Sequence, residues 1–166
     1  TTTFFNDATN WRLGLPVKTS VTSTVPAAFS DTGAISTSLI PRTSVFVYQL
    51  GVGTWNYQLK DEVVQPATDT ATGTTYAPTY TLGTDILLTT HAYDLTYGYQ
   101  NKVTVSGTGI VARSTSTAMD FVANTVTTTN ALGHSEIKTF DPRFGVALST
   151  KGPNGLVMSW TYDGFG

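Results

Sequence analysis

An all-β fold of antiparallel hairpins follows from three features of this sequence: its composition, a period-two alternation of apolar and polar residues, and turn formers between the alternating runs. Threonine supplies 33 of the 166 residues, and Tyr, Phe and Val are plentiful. These β-branched and aromatic types fit a pleated, half-buried surface. Charged residues make up only 12 %, too few to coat long solvent-facing helices.

The alternation runs from end to end. Trp55, Tyr57 and Leu59 share one face of a run whose other face carries Asn56, Gln58 and Lys60. Val103 and Val105 alternate with Lys102, Thr104 and Ser106, and Ile137 and Thr139 with Glu136 and Lys138. Near the end, Leu156, Met158, Trp160 and Tyr162 oppose Val157, Ser159 and Thr161. One apolar face at period two marks a half-buried strand. Gly51-Val52-Gly53, Thr72-Gly73, Leu82-Gly83, Gly107-Thr108-Gly109 and Gly152-Pro153-Asn154-Gly155 separate the runs as the turns of a meander. No helix longer than two turns is expected, since even Pro26 to Ile40 lacks a sustained 3.6-residue stripe. The segment 65–80, rich in Thr, Ala and Pro, reads as a long loop.

An internal repeat organises the last third of the chain. Gly133, Phe140-Asp141 and Gly145 are followed by Gly155, Tyr162-Asp163 and Gly166, with Gly133 to Gly155 and Asp141 to Asp163 both spaced by 22 residues. Each unit has room for two strands and two turns. Tyr93-Asp94 followed by Gly98 repeats the aromatic-Asp-x-x-x-Gly spacing of Phe140-Asp141 and Gly145. Met119-Asp120 and Tyr48-Gln49 are degenerate candidates that carry no weight alone. The residue types suit the task. The aromatic ends a strand on the inner face, the Asp accepts from a backbone N–H two residues on, and the Gly takes a positive φ. Clear repeats thus span 130–166, with weaker ones over 93–129.

Asn130-Ala131-Leu132-Gly133-His134, Phe140-Asp141-Pro142-Arg143-Phe144-Gly145, Pro153-Asn154-Gly155-Leu156 and Tyr162-Asp163-Gly164-Phe165-Gly166 resemble consecutive repeats of Rhs, or tyrosine–aspartate (YD), repeat proteins. The likeness is greatest to the shell region of bacterial insecticidal toxin-complex components, and Trp11-Arg12-Leu13-Gly14-Leu15-Pro16 is similar to a segment preceding their repeats. The resemblance implies a curved shell sheet that encloses a toxic C-terminal cargo, a secreted or bacterial cell-surface location, and a chain that is one wall segment of a larger protein. Phe140 stands where that pattern has Tyr, and the chain ends just before the Arg that usually follows the motif. The abrupt start at Thr1 and stop at Gly166 read as those of an excised fragment.

Chemistry is harder to find. The chain has no Cys, which removes disulfides, thiolate metal sites and thiol nucleophiles together. The nine basic residues are scattered from Arg12 to Lys151, so no stripe exists to neutralise nucleic-acid phosphates. No apolar run is long enough to span a bilayer. His91 and His134 lie far apart, and three close ligands for zinc are not apparent. No nucleophile elbow or phosphate-binding loop occurs. No cofactor, metal or enzymatic activity is expected. The partners expected are the rest of the shell, or other copies, through edge strands left without charge, with Thr125 to Leu132 and Leu156 to Tyr162 the uncharged stretches. The alternative is a carbohydrate-binding or adhesin-type β domain, with Trp55, Tyr57, Tyr97 and Tyr99 as a platform for sugar rings.

Overall fold

The computed structural model describes residues 1–23, 40–51 and 57–164. Among these it contains no helix. The strands are β1 (Thr2–Asp7), β2 (Arg12–Ser23), β3 (Ile40–Leu50), β4 (Tyr57–Val64), β5 (Thr68–Asp69), β6 (Tyr80–Thr81), β7 (Leu87–Tyr93), β8 (Gln100–Gly107), β9 (Ile110–Asp120), β10 (Thr125–Thr129), β11 (Ser135–Phe140), β12 (Ala147–Lys151) and β13 (Val157–Ser159). Eleven of them form one antiparallel sheet in which each strand lies beside its neighbour in sequence. β5 and β6 pair with each other inside the connection from β4 to β7. Most of Pro26 to Ile40, together with Trp55, Asn56 and Gly166, lies outside the described residues. The chain divides into two compact units, residues 1–90 with 106–111, and residues 91–105 with 112–166.

The first unit holds the core. Val17, Val45 and Val63 are fully buried, joined by Val47, Tyr48 and Ala71. A slip in register between Val47 and Tyr48 against β4 lets these adjacent residues both reach the packed side. Val17 enters the cluster while its neighbour Lys18 pairs with Asp69 at 2.8 Å. The connection that includes residues 65–80, whose composition reads as a loop, therefore forms a second layer over the strands. Tyr48 N donates to Tyr76 O at 2.8 Å, and the Tyr76 ring packs on Tyr57 at 4.8 Å and on Phe5 at 5.8 Å. Gly73 sits at φ +86°, and a Cβ there would lie 2.7 Å from the Phe4 carbonyl oxygen. Only glycine lets the covering segment approach β1 so closely.

The second unit is built differently. None of its described residues is buried. Its strands are held by backbone ladders and by hydroxyl pairs across them. Thr104 and Ser114 lie 2.9 Å apart, and Thr129 and Ser135 2.8 Å. Cross-strand Thr–Ser pairs of this kind are one reason a sheet favours threonine. Of the half-buried apolar faces expected here, Val103 and Val105 are half-buried, while the later ones stay open. Ile137 is 36 % exposed, and Leu156, Val157 and Met158 are 61–70 % exposed. Alternation reports which side chains share a face, and the unit itself supplies no layer to cover that face. Two other expectations also change. Thr125 to Leu132 contains β10, which pairs on both sides and is no edge. The run 156–162 is paired as a strand only over Val157–Ser159.

Candidate functional site: the aspartate turns

A single turn geometry recurs at the strand ends. Asp94 Oδ1 accepts from Thr96 N at 2.9 Å and Tyr97 N at 2.8 Å, while Gly98 N closes on Asp94 O. Asp141 Oδ1 accepts from Arg143 N at 2.8 Å and Phe144 N at 3.4 Å, and Gly145 N closes on Asp141 O. Gly98 and Gly145 take φ of +75° and +68°, the left-handed conformation that completes the turn. Each turn is flanked by a half-buried aromatic, Tyr93 or Phe140.

The same turn occurs at Asp120, one of the two degenerate candidates, and at Asp7, which the motif does not reveal. Asp120 Oδ1 accepts from Val122 N and Ala123 N, both at 2.9 Å, and Asn124 takes φ +52°. Asp7 Oδ1 accepts from Asn10 N at 3.1 Å, and Trp11 takes φ +52°. The shared signal is an Asp followed four residues later by a residue at positive φ. Asn tolerates that conformation, which is why the candidate at Asp120 lacks the motif's glycine and looks degenerate. Trp at positive φ is rarer still, and no glycine pattern would find Asp7. Tyr48-Gln49 lies inside β3 and makes no turn.

The opposite ends of the hairpins in the second unit use shorter turns. Gly133 and Gly155, both at φ +80°, donate to Asn130 O and Gly152 O. Asn130 Oδ1 accepts from Leu132 N and His134 N, and Asn154 Oδ1 from Leu156 N. Asp turns and Asn/Gly turns thus alternate along this part of the chain. Tyr162 donates its hydroxyl to Ala147 O at 2.8 Å. The turn expected after Asp163 runs through residues 165 and 166, which lie outside the described residues.

Electrostatics of the turns are local. The Arg143 guanidinium, 2.9 Å from Asp141 Oδ2, and the Arg143 backbone N–H lower the Asp141 pKa to about 2. In the first unit, Tyr57 donates to Asp7 Oδ2 at 2.7 Å, which is the main reason the Tyr57 hydroxyl is pushed up to about 12. Asp7 is held below the usual range by the Asn10 side chain and then by Tyr57. Asp61, 7 % exposed, is hydrogen-bonded by Tyr80, whose own pKa rises through burial and then the nearby Asp61 charge. These carboxylates are spent on turns and packing.

No family model and no curated protein matches this sequence.

Among the described residues no three His, Cys or carboxylate groups cluster as a metal site would require. His91 Nδ1 lies 2.6 Å from Gln100 Nε2, and its Nε2 is buried without a hydrogen-bond partner. His134 is exposed beside the Gly133 turn. Of the platform residues drawn from sequence, Trp55 lies outside the described residues and Tyr57 packs on Phe5 and Tyr76. Tyr97 and Tyr99 instead contact Phe121, at 4.3 and 6.4 Å between ring centroids.

Proposed function

We propose that this chain is a wall segment of a YD-repeat shell whose parent protein encloses a toxic C-terminal cargo, a structural part without catalysis of its own. The observation that carries the reading is the Asp turn repeated at Asp94, Asp120 and Asp141 on consecutive hairpins in which no described residue is more than half-buried. A unit that repeats a turn and leaves its apolar residues uncovered has the economy of an array, in which stability comes from neighbouring repeats.

The outer strand β13 favours the same reading. Leu156 O bonds to Gly152 N and Trp160 N to Leu148 O, so the even-numbered residues face β12. Val157 and Ser159 therefore turn their N–H and C=O groups outward, on a strand with no charged residue. The neighbour in this proposal is the next repeat of the shell or a second copy. Light scattering of the purified chain at rising concentration tests it, with Ser159→Pro as the paired variant. Proline removes one outward N–H and leaves the β12 bonds in place. Concentration-dependent association that Ser159→Pro abolishes is the expected outcome. A wild-type chain that stays monomeric at high concentration would remove the edge-pairing part. Coding sequence following Gly166 that held no further Asp turns would remove the shell.

A further inference from the structure

Consecutive Asp turns in the second unit leave a gap between them, and the chain fills one gap and not the next. Between the turns of Asp94 and Asp120, the third residue of the first, Tyr97, packs its ring on the first residue of the second, Phe121, at 4.3 Å. Tyr99, just before β8, closes the same gap, its ring 6.4 Å from Phe121 and its hydroxyl accepting from Met119 N at 3.3 Å. Between the turns of Asp120 and Asp141 the corresponding positions are Ala123, Thr125 and Pro142. Three small side chains stand where three rings stood. Two of them, Thr125 and Pro142, line an open cavity of about 230 Å³, bounded also by Met119, Asp120, Phe121 and Phe140.

We propose that this notch binds a single aromatic ring bearing a cationic amine on a short arm. The ring follows from equivalence within the molecule, since the matching gap is occupied by an aromatic stack. An apolar cavity of about 150 Å³ suffices to take up benzene, so this one holds one ring with room for an arm. Phe121 already carries Tyr97, and a bound ring against Phe121 and Phe140 extends that row. The amine follows from charge. Asp141 is neutralised by Arg143, whereas Asp120 is exposed, ties Oδ1 to its turn, and has no cation paired with it among the described residues. The site is independent of the shell reading, because it concerns a cavity within one unit.

Titration of the full chain with 2-phenylethylammonium, followed by amide NMR shifts, tests it against two controls: 2-phenylethanol, with the ring and no charge, and ethylammonium, with the charge and no ring. Saturable shifts at Phe121, Ala123, Phe140 and Arg143 are expected with both ring probes and none with ethylammonium. Asp120→Asn keeps an Oδ1 for the turn, as Asn130 does, and removes the charge. It should weaken the cationic probe by roughly two- to fivefold, the weight of an exposed ion pair, and leave the neutral one unchanged. Thr125→Tyr fills the notch from its lining and should abolish binding of both ring probes; Pro142→Phe serves if that variant misfolds. Absence of saturable shifts in the wild type, or binding undiminished in a folded filled-gap variant, would overturn the proposal. Equal affinities for the two ring probes would overturn the role of Asp120.

Discussion

At Asp141 a single carboxylate ends a strand, caps two backbone N–H groups and holds Arg143. Its pKa of about 2 lies below the ordinary carboxylate value, so its contribution to stability is fully present above about pH 4. That contribution is lost as pH falls through about 2. A carboxyl NMR titration should place the midpoint near 2, and Arg143→Ala should raise it, because the guanidinium bond is the largest cause. An unchanged midpoint in that variant would show the backbone N–H groups to be sufficient. Asp94 tests the turn itself. Asp94→Ala removes both acceptor bonds and should cost about 1–2 kcal/mol, while Asp94→Asn should cost much less, since an amide oxygen still accepts. Equal losses in thermal unfolding would mean that charge, and not turn geometry, matters at that position.

Among the elements, the connection from β4 to β7 does what its composition conceals. It clamps the sheet through Lys18–Asp69, through Tyr48 N to Tyr76 O, and through the Tyr76 ring. Val45 lies fully buried in the cluster that this connection helps to close, and Ile137 lies on an open strand. Val45→Ala should therefore destabilise the first unit by about 2 kcal/mol, combining lost burial with a cavity. Ile137→Ala should cost under about 1 kcal/mol in the isolated chain, because most of its benefit awaits a covering partner. Chemical denaturation of the two variants checks the contrast. Gly73→Ala should also destabilise, since the new methyl meets the Phe4 carbonyl and φ is positive.

For the whole molecule, the two units predict unequal protection. Amide exchange should be slowest at β2, β3 and β4, whose bonds lie within the packed unit, and faster along β11 to β13. Uniformly slow exchange across both units in dilute solution would mean that the second unit is covered, and the array reading would lose its main support. If association through β13 occurs, protection of Val157 and Ser159 should rise with concentration, because their outward N–H groups acquire partners.

The sequence by itself determined the meander, the glycine-marked turns at Gly98, Gly133, Gly145 and Gly155, and the use of Asp94 and Asp141 as turn acceptors. These are local matters, set within four or five residues by φ preference and side-chain reach. Tertiary structure decided that the degenerate candidate Asp120 makes the same turn, and it alone revealed Asp7, because Asn124 and Trp11 adopt a conformation their residue types only permit. It also decided burial. Tyr57 and Ile137 each sit in an alternating run, yet Tyr57 packs beneath Tyr76 and Ile137 stays open. Period two assigns a side chain to a face, and only the arrival of another segment of chain makes that face a core.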